Sequence, residues 1–195
     1  MAFRKASLCA AFSIAVTLSA TAPAAAQDLA FDEFRFGGTW AQPDFVDSNH
    51  AEKDQAGVNI EFLTTPVNLD VGGIATNAFL RRMLSPRLHI GGVANFNKNG
   101  TSYGYAGLTW RHPLTEGVFV ETSFGGSVNN GNINGNAQRA SLGSNVTFRE
   151  SFALGVNLTE SSVMLLQIDH NSHAGLAGRK NRGLTALHLK FGMKF

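Results

Sequence analysis

The chain has 195 residues, 44% of them hydrophobic and 15% charged, with 16 Lys and Arg against 14 Asp and Glu and one cysteine. Without the N-terminal segment that carries Arg4, Lys5 and Cys9, basic and acidic residues balance at fourteen each and no thiol remains. This composition excludes a charge-driven nucleic-acid partner, a disulfide framework and thiolate catalysis.

Residues 1–26 read as a signal peptide. Arg4 and Lys5 precede an uncharged run from Leu8 to Ala22, and Ala24-Ala25-Ala26 supplies small residues for cleavage before Gln27. An N-terminal membrane anchor is the alternative, but the run is shorter than the ~20 residues of a span. Residues 27–195 are expected to form one domain. No later stretch reaches the 18 or more apolar residues of a membrane helix. Export then leaves a secreted β-sandwich or an outer-membrane barrel.

Alternation favours the barrel. Phe34, Phe36 and Trp40 alternate with Arg35 and Thr39, and Val58, Ile60 and Phe62 with Asn59 and Glu61. The same pattern marks Leu88–Phe96, Gly104–Trp110 and Val118–Phe124, and a phase running from Leu142 to Val156. Met164, Leu166 and Ile168 form one face of the next segment. The last has Leu187, Leu189, Phe191, Met193 and Phe195 against His188, Lys190 and Lys194. Such dyad repeats predict an all-β, eight-stranded antiparallel transmembrane β-barrel. The outward positions are even-numbered in the first seven strands and odd-numbered in the last. Trp40, Trp110 and the tyrosines are expected in interfacial girdles.

The connections agree. Residues 43–56, 128–138 and 176–183 are long and polar, Lys98-Asn99-Gly100 is a tight turn, and 113–117 and 159–161 are short. Thr65 to Pro86 is a long link with a helical turn near Arg81 and Arg82, expected at the periplasmic end. His89, His112 and His188 have no metal-ligand spacing.

His170 and Ser172 continue the outward stripe of the seventh strand. A base and a hydroxyl are thus aimed at lipid. Glu150 shares that parity. If Thr159-Glu160-Ser161 closes the hairpin, Glu150 lies opposite His170 and can orient it. The alternative is a bulge near Arg149 that turns Glu150 inward to pair with an arginine.

His170-x-Ser172-x-Ala174-Gly175-Leu176, followed by Asn181-x-Gly183-Leu184, resembles the lipid A 3-O-deacylase (PagL) family. Leu142-Gly143-Ser144 leading to Phe148-Arg149-Glu150 is similar too, and the likeness covers mainly 140–195. It implies an outer-membrane esterase that removes the 3-O-linked acyl chain from lipid A, with Ser172 as nucleophile, His170 as base, and neither cofactor nor metal. The implied partners are lipopolysaccharide as substrate and outer-membrane lipids. Self-association, a homodimer included, stays open. Two positions depart from the family pattern. His173 stands where the family has an oxyanion-holding Asn. Thr185 stands where alignment on Asn181-x-Gly183 puts the acid partner of the histidine. Thr185, Glu150, Asn181 and His173 are therefore the candidate orienting or oxyanion groups. Arg179, Lys180 and Arg182 are candidates for binding lipid A phosphates, or else a solvated turn. The departures keep a second reading alive: a non-catalytic barrel, structural or adhesive, or a member that has lost activity.

Overall fold

The computed structural model describes residues 29–43, 54–70, 72–134, 139–178 and 180–195. The expected signal peptide, most of the 43–56 link and Arg179 lie outside the described residues. Eight antiparallel strands close on themselves: β1 (Phe31–Ala41), β2 (Gln55–Pro66), β3 (Arg87–Asn95), β4 (Tyr103–Pro113), β5 (Val118–Asn129), β6 (Val146–Asn157), β7 (Ser162–Ser172) and β8 (Leu184–Lys194). Each strand pairs with the next and β8 pairs with β1, so no strand edge is left open. A short helix, α1 (Ala78–Met83), interrupts the β2–β3 link. The links 114–117 and 158–161 and the described ends of the chain share one end of the barrel with α1. The remaining links share the other.

Period-2 alternation places the side chains. In β7, Met164, Leu166 and Ile168 are exposed while Val163, Leu165, Gln167, Asp169 and Asn171 are buried. The parity reverses in β8, where Leu189 and Met193 face out and His188 and Lys190 face in. The outward band is apolar, as lipid requires. Among the described residues no helix is long and apolar enough to cross a membrane; the strands do so.

An eight-stranded interior is just wide enough for side chains to fill, and here ion pairs fill it. Arg35 reaches Glu33, Glu61 and Glu121 at 2.7, 3.2 and 2.8 Å. Arg111 bridges Glu33 and Glu121, Lys190 pairs with Glu61, and Arg87 pairs with Glu33 and Asp32. Four cations thus meet four carboxylates, which is how charges tolerate burial. A second group joins Arg149 to Asp169 at 2.8 Å, with His188 beside it.

Tyr103 and Tyr105 are not girdle residues. Their odd numbers turn them into the lumen, where Tyr103 donates to Asp169 and Tyr105 to Glu61, and Arg149 stacks on the Tyr105 ring. The tryptophans do face outward, Trp40 near the loop end and Trp110 near the opposite rim. Leu142 belongs to no strand, because β6 begins at Val146. Leu142 instead folds inward and is fully buried in a cluster with Val93, Ala140 and Leu184. Its even number carries no meaning once the chain has left the pleat.

Candidate functional site

The short 158–161 turn fixes the β6–β7 register. Glu150 lies opposite His170, and Phe148 opposite Ser172. Across the other edge His170 lies opposite Thr185. The β6 ladder runs without a bulge from 148 to 157, so Glu150 stays on the outward face and is exposed. It is not turned inward to an arginine. Glu150, His170 and Thr185 therefore form one row around the outside of the wall, with Ser172 in the next row toward the loop end.

His170 Nδ1 and Thr185 Oγ1 share a hydrogen bond of 2.9 Å. If the imidazole donates from Nδ1, Nε2 is left as a lone pair that can take a proton. Thr185 is itself held. Its N–H donates to Gln42 Oε1 at 3.2 Å, and its carbonyl accepts from Gln42 N at 2.8 Å. Gln42 also donates from Nε2 to the Gly183 carbonyl. Among the described residues Glu150 makes no hydrogen bond or ion pair, and what the structure shows between it and His170 is their register across β6 and β7.

Gly183 adjoins the free edge of His170. Its φ is +73°, and a Cβ there would lie 2.8 Å from Nε2 and closer still to Cε1. A side chain would displace the imidazole. Under a catalytic role for His170, Gly183→Ala is expected to lower turnover by about 100-fold, the cost of roughly a 1 Å misplacement. Heat-modifiable migration on gels checks that the barrel remains folded. Wild-type turnover in the variant would refute this positioning role.

His173 is buried and both ring nitrogens are engaged: Nδ1 accepts from Ala177 N at 3.1 Å and Nε2 donates to the Lys180 carbonyl at 2.8 Å. Asn181 Oδ1 accepts from His173 N at 3.2 Å. These two residues shape the β7–β8 loop, and their described bonds lie within it rather than with Ser172. Lys180 and Arg182 are exposed at that rim, and Lys180 Nζ donates to the Asn134 carbonyl.

Two shallow grooves open on the outer wall, one toward the loop after β7 and the other over β3 to β6. One, of about 360 Å³, is lined by Phe124, Gly126, Val146, Phe148, His173 and Leu176. The other, of about 430 Å³, lies over Ile90, Gly104, Ala106, Gly126, Val128 and Val146. They share Gly126 and Val146, and Phe148 sets the first beside Ser172. Small residues opposite one another, Ala106 and Gly126, make the depression.

Gln42 and the groove glycines carry no site signal in the sequence. Gln42 falls where a strand gives way to a loop and acts on a partner 143 residues away. Gly183 is visible only as part of the Asn-x-Gly-Leu motif.

The lipid A 3-O-deacylase (PagL) family profile matches residues 82–194. The fold is similar to the crystal structure of the outer membrane enzyme PagL, with a TM-score of 0.56 and 13% identity over 85% of this chain and 100% of that one. A de novo designed transmembrane β-barrel gives 0.49 at 6% identity, covering 84% and 95%. Ail, the attachment invasion locus protein of Yersinia pestis, gives 0.45 at 11%, covering 85% and 100%. No curated protein sequence matches. The matched segment spans more than half of the chain and carries the His170, Ser172 and Thr185 cluster, and this eight-stranded outer-membrane barrel belongs to the lipid A 3-O-deacylase (PagL) family.

Proposed function

We propose that this protein is an esterase that removes the 3-O-linked acyl chain from lipid A. The observation that carries the reading is the placement of His170 and Ser172 on the lipid-facing wall, with Thr185 bonded to the imidazole and an apolar groove leading away. In a core those groups would be costly without further partners. On the outer face they meet the ester of a lipid.

Ser172 Oγ attacks the ester carbonyl while His170 Nε2 takes its proton. The imidazolium then protonates the departing 3-hydroxyl of the sugar, leaving the acyl chain on Ser172. A water deprotonated by His170 releases it as a fatty acid. Ser172 ends its strand at the loop rim, which gives that water access. Donors for the oxyanion are the N–H groups of the following turn. There Ala174 and Gly175 adopt φ of 51° and 80°, and among the described residues their N–H groups donate to no carbonyl. Lys180 and Arg182 lie on the loop that would meet the phosphates.

The test is mass spectrometry of lipid A from cells that express the wild type or Ser172→Ala. Loss of one 3-hydroxyacyl group only with the wild type is expected. Identical lipid A in both would overturn the reading. It would favour the non-catalytic barrel, for which the specific observation is a neutral Thr185 where a carboxylate would stabilise imidazolium.

Glu150 is the substitute charge in this scheme. A carboxylate facing lipid is costly, and its one evident return is the imidazolium opposite. Glu150→Gln is expected to slow deacylation on the order of ten- to a thousand-fold, and adding Thr185→Glu to restore part of the rate. A Glu150→Gln variant as fast as wild type would remove Glu150 from the mechanism.

The groove is the acyl seat. A Cβ at Gly126 would meet nothing nearer than 3.9 Å, so Gly126→Phe fills the groove without straining the sheet. Hydrolysis of a long-chain ester should fall roughly ten- to a hundred-fold, and that of a short-chain ester much less. Equal losses on both would place the chain elsewhere.

A further inference from the structure

We infer that the β2–β3 link, residues 67–86, is a membrane-surface anchor whose α1 apolar face lies in the phospholipids of the periplasmic leaflet. The link is built rather than slack. Val67 N donates to the Pro86 carbonyl and Leu69 N to the Leu84 carbonyl, both at 2.7 Å, continuing the hairpin ladder beyond the strands. Asp70 Oδ1 accepts from Ala75 N, and Asn77 Oδ1 caps α1 by accepting from Leu80 N. Yet α1 buries none of its residues.

Phe79 is 68% exposed and Ile74 63%, with Leu80 and Met83 also exposed. Phe79, Leu80 and Met83 share one face by their spacing, Arg81 lies on the opposite side and Arg82 on its flank. Six residues do not hold a helix in water by themselves. An apolar face this open calls for a cover.

The cover is identified by what the helix touches. Trp110 has the outward parity of β4, and its indole N–H donates to the Met83 carbonyl at 2.9 Å. The C-terminal end of α1 is therefore tied to the lipid-facing wall. Leu114, Leu158 and Phe195 are exposed at the same end. Short links mark that end as periplasmic in such barrels. An amphipathic helix with arginines beside an apolar face suits the headgroup–acyl boundary, with the guanidinium groups on phosphates. The inference is independent of the proposed esterase activity.

A fluorescent bimane label at Phe79→Cys tests it, in the full chain with Cys9→Ser, reconstituted in nanodiscs of phosphatidylethanolamine and phosphatidylglycerol. A second label at Glu116→Cys, in the exposed 114–117 link at the same end, serves as the aqueous reference. Brominated lipid should quench the Phe79 label several-fold more than the Glu116 label, and iodide should show the opposite order. Equal iodide quenching at both sites would put α1 in water. Protection from both quenchers would put protein on it. Either result overturns the lipid assignment. Ile74→Cys repeats the measurement if the Phe79 variant does not insert.

Discussion

Under the proposed esterase activity, Ser172→Ala and His170→Ala are each expected to reduce deacylation by on the order of a thousand-fold or more while leaving a folded, heat-modifiable barrel. Nucleophile and base act as a unit, so losing either removes most of the rate. The double variant should be no slower than the worse single one. Both side chains are half-exposed on the outer wall near the end of β7, and neither takes part in the lumen ion pairs, so folding has little at stake in them. Single-turnover hydrolysis of purified lipopolysaccharide in detergent, read by release of free fatty acid, measures the loss. Retained activity in Ser172→Ala would transfer the nucleophile to another group, and additive losses in the double variant would separate the two roles.

Arg35→Ala is expected to cost about 3–5 kcal/mol of stability, the usual penalty for removing one partner of a buried ion pair. Arg35 is 1% exposed and touches three carboxylates. Its loss leaves Glu121 with Arg111, and Glu61 with Lys190, while an excess negative charge remains in the lumen. Removing one charge with it, as Arg35→Ala with Glu121→Gln, should recover part of the loss. The midpoint of urea unfolding in lipid vesicles checks both. A midpoint unchanged by Arg35→Ala would mean that water or rearranged side chains replace the guanidinium at no cost.

Most of the wall is legible in the sequence because two solvents select opposite side chains at successive positions. Lipid outside and a charged lumen inside leave a period-2 record in nearly every strand. The Glu150–His170 register is legible for the same reason plus a short turn, which leaves little freedom of slip. Aromatic type is a weaker guide than parity. Tyr103 and Tyr105 suit a girdle or a lumen equally well, and only their odd numbers turn them to Asp169 and Glu61. Leu142 misleads because alternation has no force beyond the first paired residue. The clamp by Gln42 and the contact of Gly183 with His170 depend on pieces of chain brought together by closure, and no local pattern encodes them.

The outward placement of His170 and Ser172 has a kinetic consequence under the proposed activity. Substrate reaches such a site by diffusing sideways within the leaflet, so its concentration is a mole fraction among lipids rather than a molarity in water. Turnover at a fixed amount of lipopolysaccharide would fall as inert lipid or detergent is added, and rise where the leaflet is nearly pure substrate. The released fatty acid begins its life dissolved in the same leaflet, where it competes for the groove beside Gly126 before it can leave. The composition of the surrounding membrane would thus regulate the enzyme with no allosteric site at all.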